Sequence, residues 1–234
     1  MILNKYVASC GIASRRNAID LIKNGSITVN DEKFIHPAYD LKPKDVVKYK
    51  GTIIKPEVKK IYILLNKPKR TITSLNDGNG RKTVMDLVKD KVSERIYPVG
   101  RLDYLTTGLL LLTNDGELAK KLSHPSHKVP KIYEISLDKP VRDKDLEIIN
   151  KGLELDDGIA QINWVKIVND DRTILNMELH IGKNRIVRRI FEHLGYNVEK
   201  LDRIYYAGLF KKGLKRGWFR HLSQKEILML KHFI

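Results

Sequence analysis

Cysteine is nearly missing from this chain: Cys10 is the single one among 234 residues. It cannot close an internal disulfide and has no CxxC companion, so a reducing cytoplasm fits better than a secreted scaffold. Long apolar runs are missing too. No segment approaches the roughly 18 consecutive apolar residues that a spanning helix needs, and the N-terminal stretch has no signal-peptide apolar core. The sequence holds no HExxH, no Cys/His cluster and no acidic loop of calcium type. His124 and His127 are neighbours across Pro125 and Ser126, but no acidic partner is near them in sequence. No Gly-rich run ends in Gly-Lys-Ser or Gly-Lys-Thr, and no GxSxG elbow is present. Internal repeats, heptads and low-complexity tracts are also absent. Acid is scarce relative to base, with 44 Lys and Arg against 28 Asp and Glu and a formal net charge of +16. That imbalance calls for a polyanionic partner, either nucleic acid or an anionic membrane surface. With no spanning segment, the expectation is a soluble, cytoplasmic nucleic-acid binder, with no membrane partner, working without metal or cofactor.

What is present divides the chain. Residues 1–50 read as a compact unit, 51–60 as a charged linker containing Pro56, and 61–234 as a larger domain. In the first unit a short helix is predicted over Leu3 to Ser9, ending at Gly11. Ser14 is a natural N-cap for a second helix that buries Ala18, Ile19, Leu21 and Ile22, and Gly25 is its C′ residue. Strands are predicted at Ser26–Val29, Lys33–Ile35 around an Asn30-Asp31 turn, and Val46–Tyr49. Lys5, Arg15, Arg16 and Lys23 stay outside the apolar pattern and can line one basic surface, or simply be a solvated face.

In the larger domain, strands are predicted at Ile61–Leu65, Leu109–Leu112, Tyr133–Leu137 and Leu175–Ile181. Helices are predicted at Thr83–Val88, at Glu117–Leu122 behind an Asn114-x-x-Glu117 box, and at Asp143–Asn150. A further helix, Gln224–His232, opens on Ser223-x-x-Glu226. Strands and helices without strict alternation make the fold class α+β.

Two stretches carry candidate chemistry. Tyr97–Glu117 reads YPVGRLDYLTTGLLLLTNDGE and sets Asp103 in a polar, Gly-bounded loop just before the apolar run. Loops anchored on rigid core are where functional side chains are held, although a lone Asp there can equally cap a turn. Asn184–Gly195 reads NRIVRRIFEHLG. On a helix it places Ile186, Val187, Ile190, Phe191 and Leu194 on one side and Arg185, Arg188, Arg189 and Glu192 on the other. Arg188 falls at the edge of the basic face beside Phe191, where it can reach a cleft. The same spacing also suits a plain solvated helix.

Taken together, these stretches resemble the RsuA/RluB family of rRNA pseudouridine synthases. The matching segments are GRLD, Thr, Gly-Leu-Leu and Thr-Asn-Asp-Gly around Asp103, Gly182-Lys183-Asn184-Arg185-x-x-Arg188, and Lys131-Ile132-Tyr133. ILLNKP followed by GRKTVMDLV resembles the family's first motif, and Gly195–Leu201 its closing turn. LNKYVAS followed by GIASRRNAIDLIKNGSITVN resembles the α-L RNA-binding domain first described in a ribosomal protein. The chain departs from these patterns at Asp31 and Arg70 (usually Gly), Lys82 (usually Pro) and Lys183 (usually Arg).

The resemblance implies a small α-L domain followed by a mixed, mainly antiparallel sheet domain with flanking helices. It implies Asp103 as the reactive carboxylate, Arg188 as its cationic partner and Tyr133 as the ring that stacks on the target uracil. Arg101, Lys131, Arg185 and Arg189 would join Lys5, Arg15, Arg16 and Lys23 in contacting RNA. The implied partner is rRNA or a pre-ribosomal particle, and a monomer is expected. KGLKRGWFRHLSQKEI resembles the large-subunit branch. The alternatives are a synthase of small-subunit rRNA and a non-catalytic rRNA-binding assembly factor.

Overall fold

The structure is a computed structural model and describes residues 1–33, 36–57 and 59–232. It divides into two units, Met1–Lys60 and Ile61–Ile234. The first unit opens with α1 (Leu3–Ser9) and α2 (Arg15–Lys23). Ser14 caps α2 as expected, its Oγ accepting from the Asn17 amide at 3.1 Å, and Gly25 follows the helix at a φ of +76°. Leu3, Val7, Ala18 and Ile22 pack against Ile27, Val29 and Val47 to form a small core. The strands β1 (Ile27–Val29), β2 (Glu32–Lys33), β3 (Val47–Tyr49) and β4 (Thr52–Ile53) run in the order β2-β1-β3-β4. The expected strand Lys33–Ile35 is described only at its first residue; Phe34 and Ile35 lie outside the described residues.

Two tight hairpins shape this sheet. Asn30 and Asp31 both have positive φ, 53° and 69°, as do Lys50 and Gly51, at 49° and 82°. That pairing of signs belongs to the turn whose twist matches a hairpin. Asp31 tolerates the left-handed region through its short polar side chain, so no Gly is needed there. The second hairpin corrects the sequence expectation for 51–60. Thr52 pairs with Tyr49, Ile54 joins the core, and the Glu57 amide donates to the Ser9 carbonyl at 2.9 Å. Charge and a proline suggest a linker, but the Lys50-Gly51 turn folds the stretch back.

The second unit carries a nine-stranded sheet. In chain order its elements are β5 (Tyr62–Lys67), β6 (Tyr97–Pro98), β7 (Thr107–Thr113), α3 (Gly116–Ser123), β8 (Lys131–Leu137), α4 (Asp143–Lys151) and β9 (Trp164–Ile167). They continue as β10 (Ile174–Leu179), α5 (Ile186–His193), β11 (Val198–Tyr206), β12 (Leu209–Phe210), β13 (Phe219–His221) and α6 (Gln224–His232). The sheet order is β13-β5-β7-β11-β8-β10-β9, with β6 on β7 and β12 on β11. Among the described residues the β7–β11 pair is parallel and every other pair antiparallel, so the sheet is mixed and mainly antiparallel.

β7 is buried along its whole length. Leu109 and Leu111 pack with Leu118 and Leu122 of α3 and Leu230 of α6, while Leu110 and Leu112 pack on the other side with Val84, Val88 and Leu102. A strand covered on both faces needs apolar residues at every position, which is why the run has no alternation. Each such leucine contributes about 1.5–3 kcal/mol by burial. Gly108 meets β11 so closely that a Cβ there would lie 2.3 Å from the Arg203 carbonyl oxygen and 2.4 Å from its nitrogen.

Several expected boundaries move. Thr83–Val88 is a single 3₁₀ turn at Met85–Leu87, because Thr83 bridges to Ile72 and leaves too few residues for an α-helix. The cap of α3 is Asp115, whose carboxylate accepts from the Leu118 amide at 3.2 Å, while Asn114 Oδ1 accepts from the Ile61 amide. Strand β10 stops at Leu179, and the expected closing turn Gly195–Leu201 leads straight into the long strand β11. The Ser223–Glu226 box of α6 forms as expected, with the Ser223 amide donating to Glu226 at 2.9 Å and the Glu226 amide donating back to the Ser223 hydroxyl at 3.3 Å.

Candidate active site

Asp103 sits half-buried in the loop that enters β7. The side chain of Lys67, at the end of β5, turns into the protein and is fully buried. Its ammonium donates to the carbonyls of Asp103 at 2.9 Å, Thr106 at 2.8 Å and Pro68 at 3.1 Å. Burial lowers the Lys67 pKa to about 8, with the Asp103 carboxylate opposing that fall and Arg216 and Arg203 adding to it. Arg70, at a φ of +56°, donates its amide to the Tyr104 carbonyl at 2.8 Å. Arg70 therefore adopts the left-handed backbone that a glycine would take at no cost. These bonds fix the loop by its main chain and not through the Asp103 carboxylate.

A cleft of about 590 Å³ opens beside Asp103. Arg101, Thr106, Lys131, Tyr133, Arg185 and Arg203 line it, among others. Tyr133 comes from β8 and stands opposite Arg203 of β11 in the sheet register. The parallel pairing of β11 with β7 aligns Asp202 with Thr107 and Arg203 with Gly108, which carries Arg203 under the Asp103 loop. Arg203 is almost completely buried. Its Nε donates to the Leu109 carbonyl at 2.7 Å and its guanidinium lies 4.6 Å from the Tyr206 ring centroid. Arg203 Nη2 and Thr106 Oγ1, both in cleft-lining residues, are buried polar atoms without a hydrogen-bond partner. Such atoms are costly in a native fold and gather at working sites.

The other sequence-selected residues divide into four groups. Arg101 and Arg185 are exposed on the cleft wall. Lys131 lines the cleft but is turned inward, donating to the Val129 carbonyl at 3.0 Å and the His180 carbonyl at 2.9 Å. Burial and the nearby Arg203 bring its pKa down to about 8. Arg188 is buried, and its Nη1 donates to the Val198 carbonyl at 2.6 Å. Burial lowers its pKa, as does Arg185, while the fields of Asp103 and Glu192 act the other way. Arg188 thus feels Asp103 electrostatically, but its hydrogen bond goes to the Val198 main chain. Arg189 is held away from the cleft by Asp157, to which it donates twice, at 2.9 and 2.7 Å. Lys183 joins the same clamp through the Asp157 and Gly158 carbonyls, at 2.7 and 3.1 Å. In the first unit Arg15, Arg16 and Lys23 are exposed on α2, and Lys5 is half-buried on α1.

Sequence reasoning passed over Lys67, Thr106 and Arg203. The one available signal is a lysine between a buried strand and a proline, in ILLNKP.

This geometry accompanies clear kinship. The model of the RNA pseudouridylate synthase family matches residues 61–193, and that of the S4 domain matches residues 3–47. The chain belongs to the RNA pseudouridylate synthase family, with an S4 domain in front of the synthase domain. Among relatives, it is 40% identical to an RNA pseudouridine synthase of Aquifex aeolicus over 97% of this chain and 92% of that one. It is 39% identical to the ribosomal large subunit pseudouridine synthase B of Bacillus subtilis, over 98% of this chain and 95% of that one. The dual-specificity RNA pseudouridine synthase RluF of an Escherichia coli strain is 33% identical, over 97% of this chain and 77% of that one. A crystal structure of a pseudouridylate synthase superposes with a TM-score of 0.71 at 26% identity, covering 98% of this chain and 99% of the other. The enzyme is a pseudouridine synthase, and among the described residues no helix is long and apolar enough to cross a membrane.

Proposed function

We propose that this enzyme isomerises a specific uridine of large-subunit ribosomal RNA, with Asp103 as the reactive carboxylate. The observation that carries this reading is the half-buried Asp103 on a loop pinned through its main chain by Lys67, at the edge of the cleft that Tyr133 and Arg203 share. The large-subunit choice rests on the name of the Bacillus subtilis relative and on its near-complete overlap with this chain.

The reaction breaks the N1–C1′ bond of uridine, turns the base and joins C5 to C1′. C5 loses a proton and N1 ends with one, so atoms balance with no redox partner and no transferred group. Asp103 takes part as an anion, whether it attacks or accepts a proton. Arg188, buried nearby, sets a fixed positive charge within electrostatic reach of the carboxylate. A uridine in folded RNA must be flipped out first, which costs a few kcal/mol and is offset by stacking and edge hydrogen bonds. Tyr133 is the stacking ring. Arg101 and Arg185, exposed on the cleft wall, meet the flanking phosphates or fill the space the base leaves. Arg15, Arg16, Lys23 and Lys5 of the S4 unit hold the RNA backbone in a salt-dependent way. Arg189 joins them only if Asp157 lets go, and Lys131 contributes charge to the cleft more than a phosphate contact. The enzyme acts as a monomer in the cytoplasm, on rRNA or a pre-ribosomal particle.

The test is a map of pseudouridine by chemical modification and primer extension across both rRNAs, with and without the gene. One large-subunit stop should vanish without it, and wild-type protein should restore it where Asp103→Asn does not. Identical maps, or full activity in Asp103→Asn, reject the proposal.

A further inference from the structure

The loop between β12 and β13 takes no part in the reaction just described. It lies in LFKKGLKRGWFR, residues 209–220, a stretch with five basic residues and no acidic one. Two of its cations are committed to fastening it. Arg216 donates to the Asp202 carboxylate at 2.8 and 3.1 Å, and Lys211 bonds the same carboxylate. Asp202 is partly buried, and the bonds from Arg216 and Lys211 outweigh that burial and keep its pKa low.

The loop is also buttoned to β5 at Asn66. The Gly217 amide donates to the Asn66 carbonyl at 2.8 Å, the Asn66 amide to the Trp218 carbonyl at 3.0 Å, and Arg216 bonds the Asn66 side chain. Asn66 precedes Lys67, whose ammonium holds the Asp103 carbonyl. Loop and reactive carboxylate therefore share one rigid mount.

What the mount displays has no use inside the fold. Trp218 is 64% exposed and Phe210 50% exposed, with Phe210 standing edge-on to Tyr205 at 4.9 Å. Lys212 and Lys215 are exposed and make no ion pair among the described residues. Single exposed apolar residues are ordinary. Aromatic rings on a fastened loop, interleaved with unpaired lysines and no acid, match the chemistry that holds single-stranded nucleic acid: stacking for the bases and cations for the backbone. A protein partner would meet the same rings, but only a polyanion uses every displayed charge.

We infer that Trp218 and Phe210, with Lys212 and Lys215, form a stacking platform for unpaired nucleotides of the RNA substrate close to the one presented to Asp103. The inference rests on the RNA-modifying reading above and adds a second contact surface to it.

Trp218 supplies its own probe, since the chain has only two tryptophans. In a Trp164→Phe protein, adding an rRNA transcript that spans the modified site should quench the remaining fluorescence saturably. Trp218→Ala should raise KM about tenfold while leaving kcat at saturating RNA within about twofold, as expected for lost stacking. Lys212→Ala with Lys215→Ala should flatten the slope of log K against log salt by about 1.4, for two single-strand phosphate contacts. Should Trp218→Ala not fold, the titration and the lysine pair still decide. If the Trp164→Phe protein isomerises the transcript while its fluorescence stays unchanged and the lysine pair keeps the wild-type slope, the platform is wrong and the functional reading stands. If the transcript quenches Trp218 but no protein modifies it, the functional reading fails and the RNA surface survives.

Discussion

Removing the ammonium of Lys67 leaves three main-chain carbonyls, of Pro68, Asp103 and Thr106, without the donor they share. Lys67→Met is expected to cut kcat about 10²-fold, because a small displacement of a reacting group costs that much, while RNA affinity in a binding assay stays near wild type. The pH response has a definite sign. The Lys67 and Lys131 pKa values are each lowered from 10.5 to about 8. Between those limits the unfolded chain binds more protons than the folded one, so these two groups make stability rise with pH across the window. Activity should fall over the same range as Lys67 loses its charge. A kcat profile declining above about pH 8 beside a melting temperature that these lysines do not depress is the expected pair of results. Gly108→Ala is a purely steric test. Its Cβ meets the Arg203 main chain at 2.3 Å, and its φ of +113° is one that other residues rarely adopt. A loss of about 3 kcal/mol or more in urea titration is expected. Arg203 and Gly108 were not legible beforehand, and Lys67 showed only through its place in ILLNKP. A charged residue counts against burial in any pattern, and nothing local tells which backbone will press against a glycine.

At the scale of elements, the clamp on the 153–160 hairpin is the part most open to experiment. Asp157 accepts from Arg189 and draws in Lys183, and its pKa falls to about 2, chiefly through the Arg189 hydrogen bond. A carboxylate whose folded pKa is depressed contributes above its unfolded value near 3.8 and stops contributing as pH drops toward 2. Asp157→Asn should release Arg189, while Lys183 keeps its main-chain carbonyls, and RNA binding measured at low salt should tighten with a steeper salt dependence. Elements defined by local chemistry were readable in the sequence. α1, α2 and α6 appear where their caps and apolar spacing put them, and β7 shows through its unbroken leucines. The short strands β4, β6, β12 and β13 were not readable, since two or three residues become a strand only through the neighbour they pair with. β11 was hidden by VEKLDRIYY, where charged residues interrupt any alternation. Likewise Asp103 could be picked out by its motif. That Arg188 bonds the Val198 carbonyl, and Arg189 an aspartate far from it in sequence, depended on the tertiary fold.

For the whole molecule, the charge of +16 sets how binding responds to salt. Arg16 and Lys23 are two helical turns apart on α2 and share a face, with Arg15 beside them at its start. Replacing all three by alanine should reduce the slope of log K against log salt by about 2 and leave kcat at saturating RNA unchanged. A wild-type slope in that variant would remove this face of the S4 unit from the RNA contact.

The parallel pairing of β7 with β11 joins Thr107 to Asp202, 95 residues further along the chain. β11 lies between β7 and β8, yet it is made after both. A chain still leaving the ribosome with β11 unmade has two long strands with unpaired inner edges and no Arg203 beneath the cleft. Such edges invite pairing with other chains, and non-local closure of this kind is slow. The order of synthesis therefore leaves the cleft without Arg203 until nearly all of the protein exists, and the interval before β11 emerges is one in which two inner strand edges stand open to aggregation.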